Sequence, residues 1–453
     1  MKYYALAFFF LFACALSTRP GIKVAIRNEQ LNELRTALIP MAMDEIGSLD
    51  IDDIHHKEKA YEVSVTQIKV QIEEIPARNV EIKFINNTSD IELTVKNVDI
   101  LGTADVRAKA LFIKSHATAH LSVNDASCST TLRLSTTSGK LTALSTNFAL
   151  SLSKNNVQVS LKGGLLEKIL NILIDIAKNH FFSKLTSEIE SKVPSAITRA
   201  LSKILSTLPT TLPLGSDLEV TYSIPTPPKM INDFLCLGIA GYVYPLHNKT
   251  KPLYEPAVDM VDYDMENKKN VQFFISEYTL ETAVHALYEA GLMFIEYETQ
   301  MFWNKHAMRC EISEVPRIDL DYSFIAWAPV KCSMVVFQDW FGESMAFDFR
   351  GDLEFVVEEF VKKAALFFDI KSFRLNSFFV TIPWVNWEID FSFWKFLGNW
   401  MFKNVIMAVN HFLGKDGIQL PRFDGADYTY TAQKAMHKYF EITTTPTFDF
   451  SSL

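Results

Sequence analysis

Few residues of this chain have the types and spacing that catalysis or metal binding would need. The sequence lacks GxSxG, which would place a nucleophilic serine on a sharp turn, and HExxH, which would place two zinc ligands on one helix. His116 and His120 would share one face of a strand, but a third ligand is not evident. We therefore expect no catalytic residue, metal or cofactor, and no enzymatic activity.

The cysteines point to a structural role. Cys128, Cys236, Cys310 and Cys332 follow the N-terminal segment, and four cysteines allow three full pairings. Cys310 and Cys332 flank one predicted strand and could join neighbouring strands as a disulfide. Cys128 and Cys236 lie far apart in the chain, and nothing in the sequence gives a reason to pair them. Because no CxxC is present, a thiol-redox or zinc-ribbon role has no support.

The N-terminus has the organisation of a secretory signal peptide. Lys2 precedes the apolar run Tyr3–Phe12, and Ala13-Cys14-Ala15 supplies a small-residue cleavage site. We therefore expect residues 1–17 to be removed and the protein to be secreted and extracellular. Asparagine sequons, which also occur by chance, are predicted glycosylation sites at Asn86, Asn87 and Asn248.

The charge of the chain disfavours several partners. The net charge is −9, and the excess of acidic residues lies in the C-terminal half. Nucleic acid is therefore an unexpected partner. No polybasic cluster occurs along the chain to hold the protein firmly on an anionic membrane.

Two kinds of periodicity divide the chain into helices and strands. Helical spacing of apolar residues predicts helices at Asn28–Ile46, 165–205, Ser276–Gly291 and 393–413, and Pro194 should break or kink the second into two segments. Alternation predicts strands in the first half at Tyr61–Ile75, Val80–Ile85, Ile91–Leu101, Ala108–His116 and Thr130–Leu152. In the second half it predicts strands at 293–303, 317–327, 332–338, 345–349 and 373–382, while 352–368 fits either a strand or a helix.

The order of these elements repeats, with a helix, a run of strands and a late apolar helix in each half. A length of 453 residues also favours two domains. We predict an α+β protein with a signal peptide at 1–17, a first domain at 18–224, a proline-rich linker with one central-sheet strand at 225–256, and a second domain at 257–453.

The apolar faces of the four predicted helices are longer than one compact core needs. The chain has 35 Phe residues, which fit either a large aromatic core or a ligand cavity. If the faces line cavities for an apolar ligand, the predicted lipid-binding residues are Leu31, Leu34, Leu38, Met41, Leu166, Ile169, Leu170, Leu173, Ala283, Leu287, Tyr288, Leu397, Met401 and Val405.

Four segments resemble the family of bactericidal/permeability-increasing protein, lipopolysaccharide-binding protein and lipid-transfer proteins. Pro20–Val24 resembles the family's mature N-terminus, and Ser276–Gly291 resembles its first C-domain helix. Tyr61–Pro76 is similar to its first long strand, and Asn410–Pro421 to the end of its last helix. The resemblance implies an elongated boomerang of two similar lipid-binding barrels, at 18–224 and 257–453, each a twisted antiparallel sheet wrapped around a long helix, joined by a central sheet.

The resemblance also implies a function. We expect a secreted, monomeric lipid-binding or lipid-transfer protein with phospholipid or a similar lipid in each barrel, and with transient contacts to membranes or lipoproteins. The alternative is an innate-immunity protein that recognises microbial lipid such as lipopolysaccharide without transferring it. Residues 165–206 contain no cysteine, so the family's disulfide to the long helix is absent. The loops Met43–His56 and Leu101–Lys109 are acidic or mixed, so we expect weak lipopolysaccharide binding.

Overall fold

The computed structural model describes residues 19–33, 35–46, 49–57, 61–110, 113–163, 167–252, 256–266, 270–301, 304–336, 345–362, 365–382, 387–390, 399, 402–403, 406, 410, 418–419 and 426–448. The predicted signal peptide therefore lies outside the described residues, as does most of the predicted helix at 393–413. The described chain forms two compact units. The N-terminal unit comprises Ile26–Leu208 and Pro227–Leu235. The C-terminal unit comprises the residues up to Ala25, Pro209–Thr226 and the chain from Cys236 onward.

The described helices and strands are numbered along the chain. The helices are α1 (Asn28–Glu33), α2 (Arg35–Ile46), α3 (Glu167–Ser206) and α4 (Glu277–Glu289). The strands are β1 (Ile22–Arg27), β2 (Leu49–Ile51), β3 (Ile54–Lys57), β4 (Tyr61–Ile72), β5 (Val80–Phe84), β6 (Asp90–Ala110), β7 (Ile113–Thr137), β8 (Lys140–Ser151), β9 (Val157–Gly163), β10 (Thr211–Leu214), β11 (Leu218–Thr221), β12 (Lys229–Ile231), β13 (Phe234–Ile239), β14 (Val243–Pro245), β15 (Val271–Ser276), β16 (Phe294–Met301), β17 (Asn304–Ile312), β18 (Arg317–Leu320), β19 (Phe324–Val336), β20 (Met345–Lys362), β21 (Ala365–Ile382), β22 (Trp387–Asp390), β23 (Ile418–Gln419), β24 (Ala426–Met436) and β25 (Tyr439–Phe448).

The N-terminal unit contains an eight-stranded antiparallel sheet. Strands β2, β4, β6, β7 and β8 follow in this order, while β3 pairs with β4, β5 with β6 and β9 with β7. Alternate residues are buried along stretches of the long strands, as in Val63 and Val65 of β4 and, beyond a bulge, Ile68 and Val70, because successive side chains of a strand point to opposite faces. The sheet therefore has one apolar face and one polar face.

Bulges curve this sheet. The pairing of β6 with β7 shifts register on both sides of Val98. Asn97 and Asp125 lie in these irregular stretches with φ of 54° and 55°. Asn and Asp tolerate this left-handed conformation better than other side chains do, and a bulge locally increases strand bending and twist. The long strands β6 and β7 can therefore bend along their length.

Two predicted strand boundaries in this unit are wrong. The predicted strand Ala108–His116 is divided between β6 and β7, and the predicted strand Thr130–Leu152 between β7 and β8. The second hairpin turns at Ser138 and Gly139, which both have positive φ. This is the two-residue turn whose twist matches that of a hairpin. Alternation continues through both strands of a hairpin, so periodicity alone does not locate the turn.

The predicted interruption of the long helix is also wrong, because α3 is helical from Glu167 to Ser206 with Pro194 inside it. Proline removes one backbone hydrogen bond and costs about 3 kcal/mol in a helix interior. Ile189, Val193 and Ile197 are buried on both sides of the proline. Burial of each such side chain contributes about 1.5–3 kcal/mol, which offsets the cost of the proline. The predicted helix Asn28–Ile46 is described as α1 and α2.

The C-terminal unit has its own eight-stranded antiparallel sheet. Strands β16, β17, β19, β20, β21 and β22 follow in this order, with β18 on β19 and β23 on β21. The segment 352–368, which the sequence left open, is strand and belongs to β20 and β21. The chain also forms two smaller sheets, one with the order β12-β13-β1-β15-β25-β24 and one with the order β10-β11-β14. The repeated helix and sheet elements confirm the α+β class.

The helix α4 confirms the prediction for Ser276–Gly291. Ser276 lies in extended conformation before the helix, and its Oγ accepts a hydrogen bond from the backbone N–H of Thr279 at 3.4 Å. Gly291 follows the end of the helix with a φ of +67°, the left-handed conformation that favours glycine at this position. Local capping chemistry therefore fixes both ends of α4.

Candidate apolar ligand site

The predicted lipid-binding residues fall into three groups. Leu34, Leu166, Leu397, Met401 and Val405 lie outside the described residues. The backbones of Leu31, Leu38, Ile169, Leu170 and Leu173 are helical, but the structure does not describe their side chains. The remaining side chains are described: Ala283 is buried, whereas Met41, Leu287 and Tyr288 are half-buried. Their role in lipid binding stays a prediction.

The N-terminal unit contains an apolar cavity between its sheet and the helices α2 and α3. Ile39, Ala42, Met43 and Ile46 of α2 form one wall at helical spacing. Ile189, Val193, Ile197, Ala200 and Leu201 of α3 form a second wall with the same spacing. The sheet closes the third side with Ile72, Val80, Ile82, Leu93, Val95, Val98, Ile100, Ala126, Ser127, Cys128, Leu132 and Leu150, together with Ile75.

The lining of the cavity suits an apolar ligand. The cavity has a volume of about 120 Å³. Branched aliphatic side chains dominate the lining, so water inside the cavity would find few hydrogen-bond partners. The cavity therefore favours hydrocarbon over water.

Among the described residues of the lining, Arg35 is the one that carries a charge. Its Nε donates to the carbonyl oxygen of Asn32 at 2.6 Å, and its Nη1 donates to that of Val80 at 2.7 Å. The guanidinium group is therefore held by backbone carbonyls, and the aliphatic stem can face the cavity. These two bonds also tie the start of α2 to β5, which fixes one wall against the sheet.

Surface ion pairs hold α2 and the neighbouring β2–β3 connection against α3. Nε of Arg199 lies 2.9 Å from Oε2 of Glu45, and Nζ of Lys184 lies 3.3 Å from Oδ2 of Asp52. Exposed pairs of this kind contribute about 0–1 kcal/mol each. The walls of the cavity are therefore held mainly by packing, with these pairs at the edge.

Cys128 is a thiol within the cavity lining. Burial raises the pKa of the Cys128 thiol to about 11, because the thiolate loses its hydration. Cys236 lies in the C-terminal unit, where burial, with a smaller effect of Asp262, raises the pKa of its thiol to about 12. Both cysteines are unpaired, and at neutral pH both are neutral thiols.

The lipid-binding residues predicted near α3 and the described cavity lining occupy different parts of the sequence. The predicted residues lie at 166–173, whereas the described lining from α3 lies at 189–201. The signal was present in the sequence, since apolar residues recur every four positions at 189, 193, 197 and 201. The strand residues were missed because their alternation marks a buried face without distinguishing a filled core from a cavity.

The other predicted sites are placed as follows. Cys310 and Cys332 form a disulfide, as predicted. Asn86, Asn87 and Asn248 are exposed, and Oδ1 of Asn86 accepts a hydrogen bond from the backbone N–H of Asn232 at 2.9 Å.

His116 and His120 are exposed on β7, and the described residues include no group of three or more His, Cys, Asp or Glu side chains placed to hold a metal ion. None of the helices described has the length and apolarity needed to cross a membrane.

Comparison with solved structures identifies the fold. Lipopolysaccharide-binding protein matches with a TM-score of 0.59 and 15% sequence identity, over 95% of this chain and 99% of that chain. The fold is therefore of the lipopolysaccharide-binding protein type, which confirms the predicted resemblance. Two further matches, Takeout 1 of Epiphyas postvittana (11% identity, 40% of this chain, 92% of that chain) and P47 of Clostridium botulinum E1 (11%, 94% and 99%), have TM-scores of 0.28. No protein-family model and no curated protein sequence matches the chain.

Proposed function

We propose that this protein binds lipid and holds an acyl chain in the cavity of the N-terminal unit. The observation that carries the proposal is the apolar lining of that cavity by α2, α3 and the curved sheet. The solved structure with the same fold is that of a protein named for binding lipopolysaccharide, which supports a lipid as the ligand.

The free energy of exposing hydrocarbon to water explains why a lipid needs such a cavity. Each methylene group removed from water contributes about 0.8 kcal/mol, so a two-tailed lipid with about 30 methylenes would cost on the order of 20 kcal/mol to expose. A protein that carries the lipid through water must bury most of this surface. The aliphatic walls of the cavity meet this requirement for at least part of an acyl chain.

The finer proposal is a secreted carrier that exchanges phospholipid with membranes or lipoproteins. The predicted signal peptide supports secretion, and so does the Cys310–Cys332 disulfide, because disulfides persist mainly in oxidising compartments. Transfer would require the ligand to enter and leave through the opening of the cavity.

Lipid extraction from the natively purified secreted protein, followed by mass spectrometry, tests the proposal. We expect a bound phospholipid or similar lipid, and uptake of a fluorescent phospholipid after delipidation. Val193→Asp should abolish uptake, because an unpaired buried charge costs several kcal/mol. Ala42→Phe should reduce uptake without unfolding the protein, because the ring fills the cavity.

Two results would contradict the proposal. The first is an absence of extractable lipid together with an absence of uptake by the delipidated protein. The second is normal uptake by a folded Ala42→Phe variant, which would place the ligand elsewhere. Lys192→Asp serves as the matched control for Val193→Asp, since residue 192 adjoins it on α3 but is not in the cavity lining.

A further inference from the structure

The polar face of the N-terminal sheet gathers basic side chains from five strands. On neighbouring strands, Lys57 pairs with Glu62, Glu62 with Lys109, and Lys109 with Lys114. The basic face, as defined here, consists of Lys57, Lys69, Arg107, Lys109, Lys114 and Lys162, and all six are exposed. They lie on β3, β4, β6, β7 and β9, which are adjacent in this order.

The next rows across the same face add three histidines. His55 pairs with Ser64, Ser64 with Arg107, and Arg107 with His116. Two rows further along, Lys69 pairs with Thr103, and Thr103 with His120. His55, His116 and His120 are exposed. The rows are continuous because each of these residues occupies the outward position of its strand.

Acidic residues on this part of the face are few. Glu62 and Asp105 interrupt the basic rows, and Asp50 lies opposite Lys69 in register. At the edge, Asp52 is paired with Lys184, and Oδ1 of Asp53 accepts a hydrogen bond from the backbone N–H of Gln67. The whole chain carries more acidic than basic residues, with a net charge of −9. The basic face is therefore positively charged, although the chain as a whole is negatively charged.

The spacing of the basic side chains across the face indicates which kind of partner surface the face complements. Adjacent strands lie about 4.8 Å apart, so five strands span about 20 Å, and successive outward residues are about 7 Å apart along each strand. The basic side chains are thus dispersed over a broad face and do not converge on one point. A dispersed array complements a surface that carries many separate negative charges, such as an anionic bilayer.

We propose that the basic face docks the N-terminal unit on the surface of an anionic phospholipid bilayer, and that protonation of His55, His116 and His120 strengthens the docking. Histidine is the side chain that ordinarily gains its charge between pH 8 and pH 5. Docking places the unit that contains the cavity on a membrane that could supply or receive its lipid. The proposal does not require the cavity to bind lipid.

The groups around each histidine determine the effect of pH. Nε2 of His116 lies 3.9 Å from Oδ2 of Asp105, and Arg107 is the cross-strand partner of His116 on β6. Nδ1 of His55 lies 3.0 Å from the hydroxyl of Ser64.

His120 has neutral cross-strand partners on both sides, Thr103 and Ser160. Lys69 lies beyond Thr103, and Lys162 lies two residues from Ser160 on β9. Each protonation therefore adds positive charge to a face that is already basic.

Vesicle flotation with the full chain tests the proposal. We expect the protein to float with phosphatidylcholine vesicles that contain phosphatidylserine, to bind vesicles of phosphatidylcholine alone much more weakly, and to be released by added salt. Lys109→Glu combined with Lys114→Glu should weaken binding at least about tenfold. Lys140→Glu combined with Lys229→Glu is the matched control, because both lysines are exposed, lie in the same unit and are outside the basic face.

The histidines are tested by repeating the flotation at about pH 7.5 and about pH 5.5. The wild type should bind more tightly at the lower pH, and His116→Gln combined with His120→Gln should lose most of this gain.

Equal binding to both kinds of vesicle, or equal losses in the basic-face and control variants, would overturn the docking surface. A clear preference for lipopolysaccharide aggregates over phosphatidylserine vesicles would overturn the choice of partner. Uptake of a fluorescent phospholipid by the Lys109→Glu/Lys114→Glu variant separates failure of docking from failure of lipid binding.

Discussion

Ser276 and Gly21, which are 255 residues apart in sequence, are joined by two hydrogen bonds. The backbone N–H and the hydroxyl of Ser276 both donate to the carbonyl oxygen of Gly21, at 2.9 and 2.7 Å. Thr279 donates to the same oxygen through its hydroxyl at 2.9 Å. The N-terminal segment and the first turn of α4 carried the family resemblance in the sequence, and here they form one buried contact in the C-terminal unit.

This contact predicts that Gly21→Ala is destabilising. A Cβ at residue 21 would lie 2.5 Å from the carbonyl oxygen of Ala240 and 2.8 Å from Oγ1 of Thr279. Overpacking of this kind costs about 1–3 kcal/mol, which we expect as a loss in the free energy of unfolding measured with urea. Gly291→Asn is the control, because residue 291 has nothing within 4 Å and asparagine tolerates its positive φ. Equal stability of Gly21→Ala and the wild type would show that the backbone shifts at no cost.

Local signals explain why α4 was predictable from the sequence. Its serine cap, its apolar spacing and its terminal glycine all lie within sixteen consecutive residues, and each acts through contacts of one or two helical turns. The pairing of Ser276 with Gly21 was not predictable from those residues, because it depends on how β1 and β15 meet. The family resemblance singled out both segments, but only the structure shows that Ser276 and Gly21 are hydrogen-bonded to each other.

The cavity and the basic face were harder to predict for a different reason. The strands contribute one residue in two to each face, so Arg107, Lys109 and Lys114 never form a basic run along the chain. Register brings them together across β6 and β7, and bulges such as the one at Asn97 change which residues face inward. Linear charge counting therefore missed a surface that only strand pairing creates.

The Cys128 thiol offers a direct test of the cavity. Since its pKa is raised to about 11, we expect slow labelling by maleimide at neutral pH and a rate that rises steeply as the pH approaches 11. A bound acyl chain should slow labelling further by covering the thiol. Mass spectrometry of the Cys128 peptide measures the rate before and after delipidation.

The control for this measurement is Cys236, which lies in the C-terminal unit and is buried. Its labelling should be slow and should not respond to lipid bound in the N-terminal unit. Rapid labelling of Cys128 at neutral pH, unchanged by loading with lipid, would contradict its position in the ligand cavity.

The Cys310–Cys332 disulfide should stabilise the C-terminal unit. The two residues lie directly opposite each other on β17 and β19, 22 residues apart in sequence, within a buried cluster that includes Phe349, Phe378 and Phe402. A loop of this size corresponds to about 3 kcal/mol of stabilisation. We expect Cys310→Ala combined with Cys332→Ala to lower the free energy of unfolding by about that amount, with little change in lipid uptake by the N-terminal unit.

A reducing agent separates the effect of the bond from that of the substituted side chains. Reduction should destabilise the wild type to nearly the same extent and leave the double variant unchanged. If reduction does not alter the unfolding transition of the wild type, the disulfide does not contribute to the stability of the unit.

Pro194 is the position where a local rule of helix formation was overridden by packing. The helix α3 continues through it, with Val193 and Ile197 lining the cavity. Pro194→Ala should restore the backbone N–H that proline lacks and raise the free energy of unfolding by up to about 3 kcal/mol. Ser195→Ala, at the exposed neighbouring position, is the control and should change stability by less than about 0.5 kcal/mol. Thermal unfolding measures both variants. A fall in stability on Pro194→Ala would instead show that the proline ring or a bend at this residue holds Val193 and Ile197 against the sheet, and lipid uptake by the variant should then fall as well.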